Sequence, residues 1–327
     1  MNKAIPIGIV AASGVVPQVE LERGLGRLRE SGFDPHVHEQ VAKQSFTFAG
    51  NDEERAGAFY AYAKDPRFFI LWMARGGYGA GRLLPLLDDL TNGHGTPPTK
   101  LLVGYSDVTV LHEYVRSRWG WSTLHAPMPA DSSFTRINAG EWQSIIDYVT
   151  GKRAAGPWEQ TPLTWLTAPP SGPIERELIG GNLSLMASLR GTPYAGAGGS
   201  RIIFLEDVHE AFYRIDRKMM QLEQSGLLHH AAAIVLGDFT DCQDETRSAR
   251  KVYSMDEAWE EIFGKLGKRL GIPVAKGLGV GHGPSFAPLP LGATYELSPS
   301  GSIKLLKWDW LTRRTQILAS DAKALLT

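Results

Sequence analysis

The sequence predicts a two-domain α/β protein, with a parallel-sheet domain at the N-terminus and an α/β or α+β domain at the C-terminus. Three observations carry this expectation. Short apolar runs alternate with amphipathic segments through the first half, the pattern of parallel strands covered by helices. From Gly151 the stretch GKRAAGPWEQTPLTWLTAPPSGP holds Pro157, Pro162, Pro169, Pro170 and Pro173, which no continuous helix or central strand accommodates. Beyond it the alternation begins again, and 327 residues suffice for two domains of ordinary size. The expected divisions are an N-terminal domain over 1–151, a linker over 152–173 and a C-terminal domain over 174–327.

Along the first half, strands are expected at Ile7 to Val10, Arg67 to Ala74 and Lys100 to Gly104. Between the first two, PQVELERGLGRLRESG sets Leu21, Leu25 and Leu28 on one face and ends at Gly32, a helix with a C-cap signal. DEERAGAFYAYAKD reads as a second helix. In the second half, Arg201 to Glu206 and Ala231 to Gly237 read as strands. Helices are expected around NLSLMASLRG, YRIDRKMMQLEQSG and SMDEAWEEIFGKLGKRLG.

Composition narrows the function class. The chain is 43% apolar and 21% charged with no low-complexity tract, as in a globular protein. Lys and Arg total 34 against 35 acidic residues, and no basic run could neutralise a phosphate backbone, so nucleic acid is not the expected partner. No apolar run reaches the ~18 residues of a membrane span. The opening MNKAIPIGIVAASG has a lysine and an apolar stretch, but Pro6 and Gly8 break it, so it reads as a first strand and turn rather than a leader. A lone cysteine, Cys242, can form neither an internal disulfide nor a thiolate metal site, which fits a reducing compartment.

Ser106 stands in KLLVGYSDVTVLHEYVRSRWG, directly after an apolar strand and before a helical pattern. A serine there sits on a sharp turn, its hydroxyl pushed outward beside backbone N–H groups, as in a nucleophile elbow. Gly104 matches the first glycine of G-x-S-x-G, whereas Val108 replaces the second. The alternative is that Ser106 only caps a helix starting at Asp107. A glycine-rich turn, ARGGYGAGRLL from Ala74 to Leu84, follows the strand before it and could supply oxyanion donors or merely a tight turn. The dinucleotide fingerprint fails because Arg82 occupies the position of its third glycine.

A serine nucleophile needs a base and an acid that orients it. His112 lies six residues beyond Ser106, about 240° around a helix, and faces away. His36 and His38 precede Glu39 with no metal-ligand spacing, and His229 and His230 read as surface or packing positions. His282, between Gly281 and Gly283 in GLGVGHGPSFAPLPLG, competes with His125 in LHAPMPA. For the acid, Glu206 ends a strongly apolar strand, with Asp207 and Glu210 following; all three could equally be solvated turn acids partnered by Arg214 and Arg217.

Together, ARGGYGAGRLL, GYSDVTVLH, GGNLSLM, FLEDVHEAFYRIDR, GDF and GHGP, in that order, resemble the LD-carboxypeptidase family of serine peptidases, which includes the microcin C immunity peptidases. The resemblance implies a Ser-Glu-His triad of Ser106, Glu206 and His282, with the serine from one domain, the other two from the second, and the active site at their interface. It implies Gly77 and Asp107 N–H groups as the oxyanion hole, no metal or cofactor, a cytoplasmic homodimer, and release of D-alanine from muropeptide tetrapeptides during wall recycling. Within the family, cleavage of a toxic aminoacyl-nucleotide conjugate is the alternative, and a non-catalytic binder of wall peptides is another. Arg75 and Arg82 are candidates for holding the substrate carboxylate, since planar guanidinium suits that role. Glu210 stays an alternative to Glu206, and DCQDETRSARKVYSMDEAW looks longer than is usual for the family.

Overall fold

The computed structural model describes residues 4–152, 156–196, 198–243 and 251–313. Its chain order is β1 Ile5–Val10, α1 Gln18–Glu30, β2 Phe33–Val37, α2 Asp52–Lys64, β3 Ile70–Met73, α3 Leu84–His94, β4 Leu101–Gly104, α4 Thr109–Trp119, β5 Ser122–His125 and α5 Ala139–Val149. Then follow β6 Thr164–Trp165, β7 Ile174–Asn182, α6 Leu183–Ser188, β8 Ile202–Val208, α7 Phe212–Gln224, β9 Ala233–Thr240 and α8 Met255–Trp259. The last are α9 Lys265–Leu270, β10 Val274–Lys276, β11 Leu289–Leu291, β12 Ala293–Leu297 and β13 Ile303–Lys307. A π-helical turn, Glu260–Gly264, joins α8 to α9.

These elements form two compact units. Among the described residues, one holds 4–152, Pro288–Pro290 and 308–313, and the other holds those of 156–287 and Leu291–Lys307. The first holds a sheet ordered β11-β5-β4-β3-β1-β2, in which β2, β1, β3, β4 and β5 run parallel. Its central strands are apolar on both faces, as covered parallel strands must be: every residue of β3 and β4 is buried. The expected strand from Arg67 is shortened at its start, because the chain turns through Asp65–Phe68 before entering the sheet at Ile70. α2 begins with the Asn51–Glu54 capping box and α4 ends at Gly120 in the left-handed region, a common start signal and a common stop signal of helices.

The second unit holds a sheet ordered β13-β12-β7-β8-β9-β10-β6. β7 to β10 run parallel and the outer strands antiparallel. Its core gathers Leu183, Met186, Ile203, Leu205, Ile215 and Phe263 among others between the sheet and its helices. Thr164–Trp165, within the proline-rich stretch, add only a short edge strand beside β10, where prolines on either side cost no ladder bonds. Of the stretch judged long for the family, residues 244–250 lie outside the described residues. No described helix is long and apolar enough to cross a membrane.

Candidate active site

In the first unit, β3 and β4 are neighbours, so the segments leaving their carboxyl ends lie side by side, the edge where open α/β sheets bind ligands. From β4 the chain passes through Tyr105 into Ser106, whose φ of 61° is in the left-handed region. A non-glycine residue held there carries strain of about 1–3 kcal/mol, a feature that clusters at functional sites. A 3-10 turn, Ser106–Val108, then leads into α4, and neither helical start receives a side-chain cap. Ser106 is thus not the cap that the alternative reading required. Gly104 is small because Val108 packs over it: a Cβ at Gly104 would meet Val108 Cγ1 at 3.0 Å.

The glycine turn leaving β3 presses against this serine. A Cβ added at Gly76 would stand 3.1 Å from Ser106 Cβ and 3.3 Å from its Oγ, so the glycine backbone packs closely against the serine. Gly77 follows at φ 111° and is exposed. The turn is braced from beneath by two residues whose side chains the sequence did not single out. Asp107 Oδ2 accepts the Ser13 hydroxyl at 2.6 Å and the Ala80 N–H at 2.8 Å. Burial pushes its carboxyl above the ordinary range, with the Ser13 and Ala80 bonds acting the other way. The fully buried Arg55 donates to the Gly79 carbonyl at 3.0 Å and pairs with Asp52.

A groove lined by Val15, Phe46, Thr47, Arg75, Gly77 and Tyr78 opens beside the turn. Arg75 donates to the Val15 carbonyl within it. Arg82 is engaged elsewhere, with Nε 3.0 and 2.8 Å from the two Asp52 oxygens, a fork pairing that occupies its guanidinium. His112 is fully buried, and desolvation, with Arg116 adding to it, lowers its imidazole to about 3. His125, at the end of β5, packs edge-on against Tyr105 with ring centroids 5.6 Å apart.

In the second unit, Glu206 on β8 is 0% exposed and Oε2 lies 2.6 Å from His282 Nδ1. Gly281 makes this approach possible: it sits at φ 136°, and a Cβ there would stand 2.9 Å from Glu206 Oε2. Glu210 is occupied otherwise, its carboxylate 2.5 Å from Lys218 Nζ. Asp207 accepts from Asn182 at 2.9 Å and from the Ser184 N–H at 3.0 Å, fixing the β7–α6 junction. Arg214 and Arg217 lie over the Tyr213 ring. Of Glu206, Asp207 and Glu210, Glu206 is therefore the imidazole's partner. No described group of three or more His, Cys, Asp or Glu residues could hold a metal.

One unit thus holds a serine at positive φ pressed by a glycine turn, and the other a carboxylate-bound imidazole. Residues 7–126 match the LD-carboxypeptidase N-terminal domain and residues 175–297 the LD-carboxypeptidase C-terminal domain. A putative carboxypeptidase of Streptomyces coelicolor is 35% identical over 91% of this chain and 92% of its own. The murein tetrapeptide carboxypeptidase of Pseudomonas aeruginosa is 31% identical over 88% and 91%. The crystal structure of muramoyltetrapeptide carboxypeptidase from Oxalobacter formigenes superposes with a TM-score of 0.74 at 32% identity, covering 92% of this chain and 97% of that one. The microcin C7 self-immunity protein of Escherichia coli is more distant, 25% identical over 83% of each chain. The resemblance carried by the motifs is borne out, and the chain belongs to the LD-carboxypeptidase family of serine peptidases.

Proposed function

We propose that this peptidase removes the terminal D-alanine from muropeptide tetrapeptides by cleaving the L,D-peptide bond, with Ser106, His282 and Glu206 as its triad. The observation that carries this is the His282–Glu206 contact at 2.6 Å, since an imidazole held by a buried carboxylate is the base a serine peptidase needs. Ser106 attacks the scissile carbonyl as His282 Nε2 takes its proton. The charge that develops on the carbonyl oxygen is met by the Gly77 and Asp107 N–H groups. His282 then returns the proton to the departing amine, and water hydrolyses the acyl-enzyme by the same route in reverse. Arg75, in the groove beside Gly77, is the nearer candidate for the substrate's terminal carboxylate, because Arg82 is committed to Asp52.

The reading extends to a cytoplasmic homodimer that acts on recycled wall fragments. Tetrapeptide activity is favoured over a microcin-type conjugate because the putative carboxypeptidase of Streptomyces coelicolor and the murein tetrapeptide carboxypeptidase of Pseudomonas aeruginosa cover more of the chain at higher identity than the microcin protein does. Release of D-alanine from tetrapeptides with diaminopimelate or lysine as third residue, measured beside hydrolysis of an aminoacyl sulfamoyl adenylate, tests this. Turnover of the tetrapeptides supports the proposal, turnover of the adenylate alone transfers it to the microcin-type reading, and turnover of neither leaves a wall-peptide binder.

A further inference from the structure

The loop that bears His282 contains Gly277, Gly279, Gly281 and Gly283, three of them at positive φ. Such a segment has little intrinsic stiffness, yet His282 Nδ1 is held at hydrogen-bond distance from Glu206. The restraint comes from the end of β9. Leu236 accepts the Gly277 and Leu278 N–H groups, each at 3.2 Å. Gly237 lies so close under the loop that a Cβ there would stand 2.2 Å from the Val280 carbonyl oxygen. Asp238 then meets the loop on both sides of the histidine: its own N–H donates to the Val280 carbonyl at 2.9 Å, and its carboxylate packs directly on Gly283. A Cβ on Gly283 would fall 2.2 Å from Asp238 Oδ2, so residue 283 must be glycine for the grip to close.

We propose that Asp238 is a positioning residue, a clamp across residues 280–283 that keeps His282 Nδ1 on Glu206. The clamp rests on the reading of His282 as the catalytic base. Its carboxyl is raised by burial and by the neighbouring Glu206 charge, and packing on Gly283 needs no proton exchange.

The test compares Asp238→Ala, Asp238→Asn and Gly283→Ala in the full chain, with Ser106→Ala and His282→Ala alongside. Two readouts are used: steady-state D-alanine release, and the far-downfield proton signal of the His282 Nδ1–H bound to carboxylate, identified by its absence in His282→Ala. Removing the carboxylate in Asp238→Ala is expected to lower kcat about 100-fold with KM changed less than about threefold, the cost of a small misplacement near the reacting atoms. The imidazole signal should be lost with it. Asp238→Asn keeps the planar group that packs on Gly283 and should stay within about tenfold of the parent with its signal intact. Gly283→Ala, at a position outside the positive-φ glycines, should pry the clamp open and reproduce Asp238→Ala. It decides the matter if Asp238→Ala fails to fold. Wild-type kcat and signal in both alanine variants, or an Asn variant as damaged as Ala, would overturn the proposal. Full activity of Ser106→Ala and His282→Ala would instead sink the catalytic reading, and the substrate-independent proton signal would then judge the clamp alone.

Discussion

His282 Nδ1 lies 2.6 Å from Glu206 Oε2, joining two residues 76 positions apart in the chain. Glu206 is fixed on a strand and fully buried, while His282 retains 16% side-chain exposure. The acid is thereby locked while the imidazole keeps some solvent access, the division of labour expected of an orienting acid and a base. Replacing Glu206 with Gln keeps the shape and removes the charge that selects the Nδ1–H tautomer. Glu206→Gln should lower kcat by about 10²–10⁴-fold with a preserved fold. A variant with near-normal kcat and an unchanged circular dichroism spectrum would exclude this role.

Ser106 occupies the left-handed region at φ 61°, where glycine is unstrained. Ser106→Gly should therefore eliminate hydrolysis while raising stability by roughly 1 kcal/mol in urea unfolding. Lower stability together with lost activity would indicate that the hydroxyl contributes to the fold rather than to attack.

Asp107 ties the first turn, the elbow and the glycine turn through one oxygen bonded to Ser13 and Ala80. Asp107→Ala leaves a buried hydroxyl and a buried N–H unpaired, a loss of about 1–3 kcal/mol. Activity should fall further than stability explains, because the Gly76–Gly79 turn loses its brace. An unfolding midpoint equal to the parent's would refute that bracing role.

His112 is buried and neither ring nitrogen has a hydrogen-bond partner among the described residues. Its imidazole is lowered to about 3, so between pH 6.5 and 3 the unfolded chain binds a proton that the folded chain does not. Stability from this group is complete above pH 6.5 and declines as pH falls through that window, by at most about 1.4 kcal/mol per unit. Urea unfolding of His112→Met from pH 7 to 4 should show a shallower loss than the parent. Identical slopes would mean that the residue does not titrate as described.

The sequence made the elbow legible because strand, serine and helix are contiguous, and the glycine turn because its residues are adjacent. The end of α1 was signalled by Gly32, which lies just past the helix at φ 87°. The choice between Glu206 and Glu210 was not legible, since it depends on Lys218, on a different element, neutralising one of them. Arg82 lay beside the glycine turn in sequence, but its partner Asp52 comes from α2, which no local pattern reveals. Asp238 stood inside GDF with no feature to mark it; its meaning arises only where the His282 loop crosses β9. The side chain of Asp107 escaped notice for the same reason, as its partner Ser13 is 94 residues away.

The central claim is that Ser106 and His282 act as one catalytic unit. It is tested most directly by kcat/KM for D-alanine release in Ser106→Ala, His282→Ala and the double variant, each with its unfolding midpoint recorded. Members of a triad fail together, so the three should show nearly the same residual rate, with the second substitution adding less than about tenfold to the first. A His282→Ala enzyme close to full activity, or a double variant whose loss is the product of the two single losses, would contradict the account.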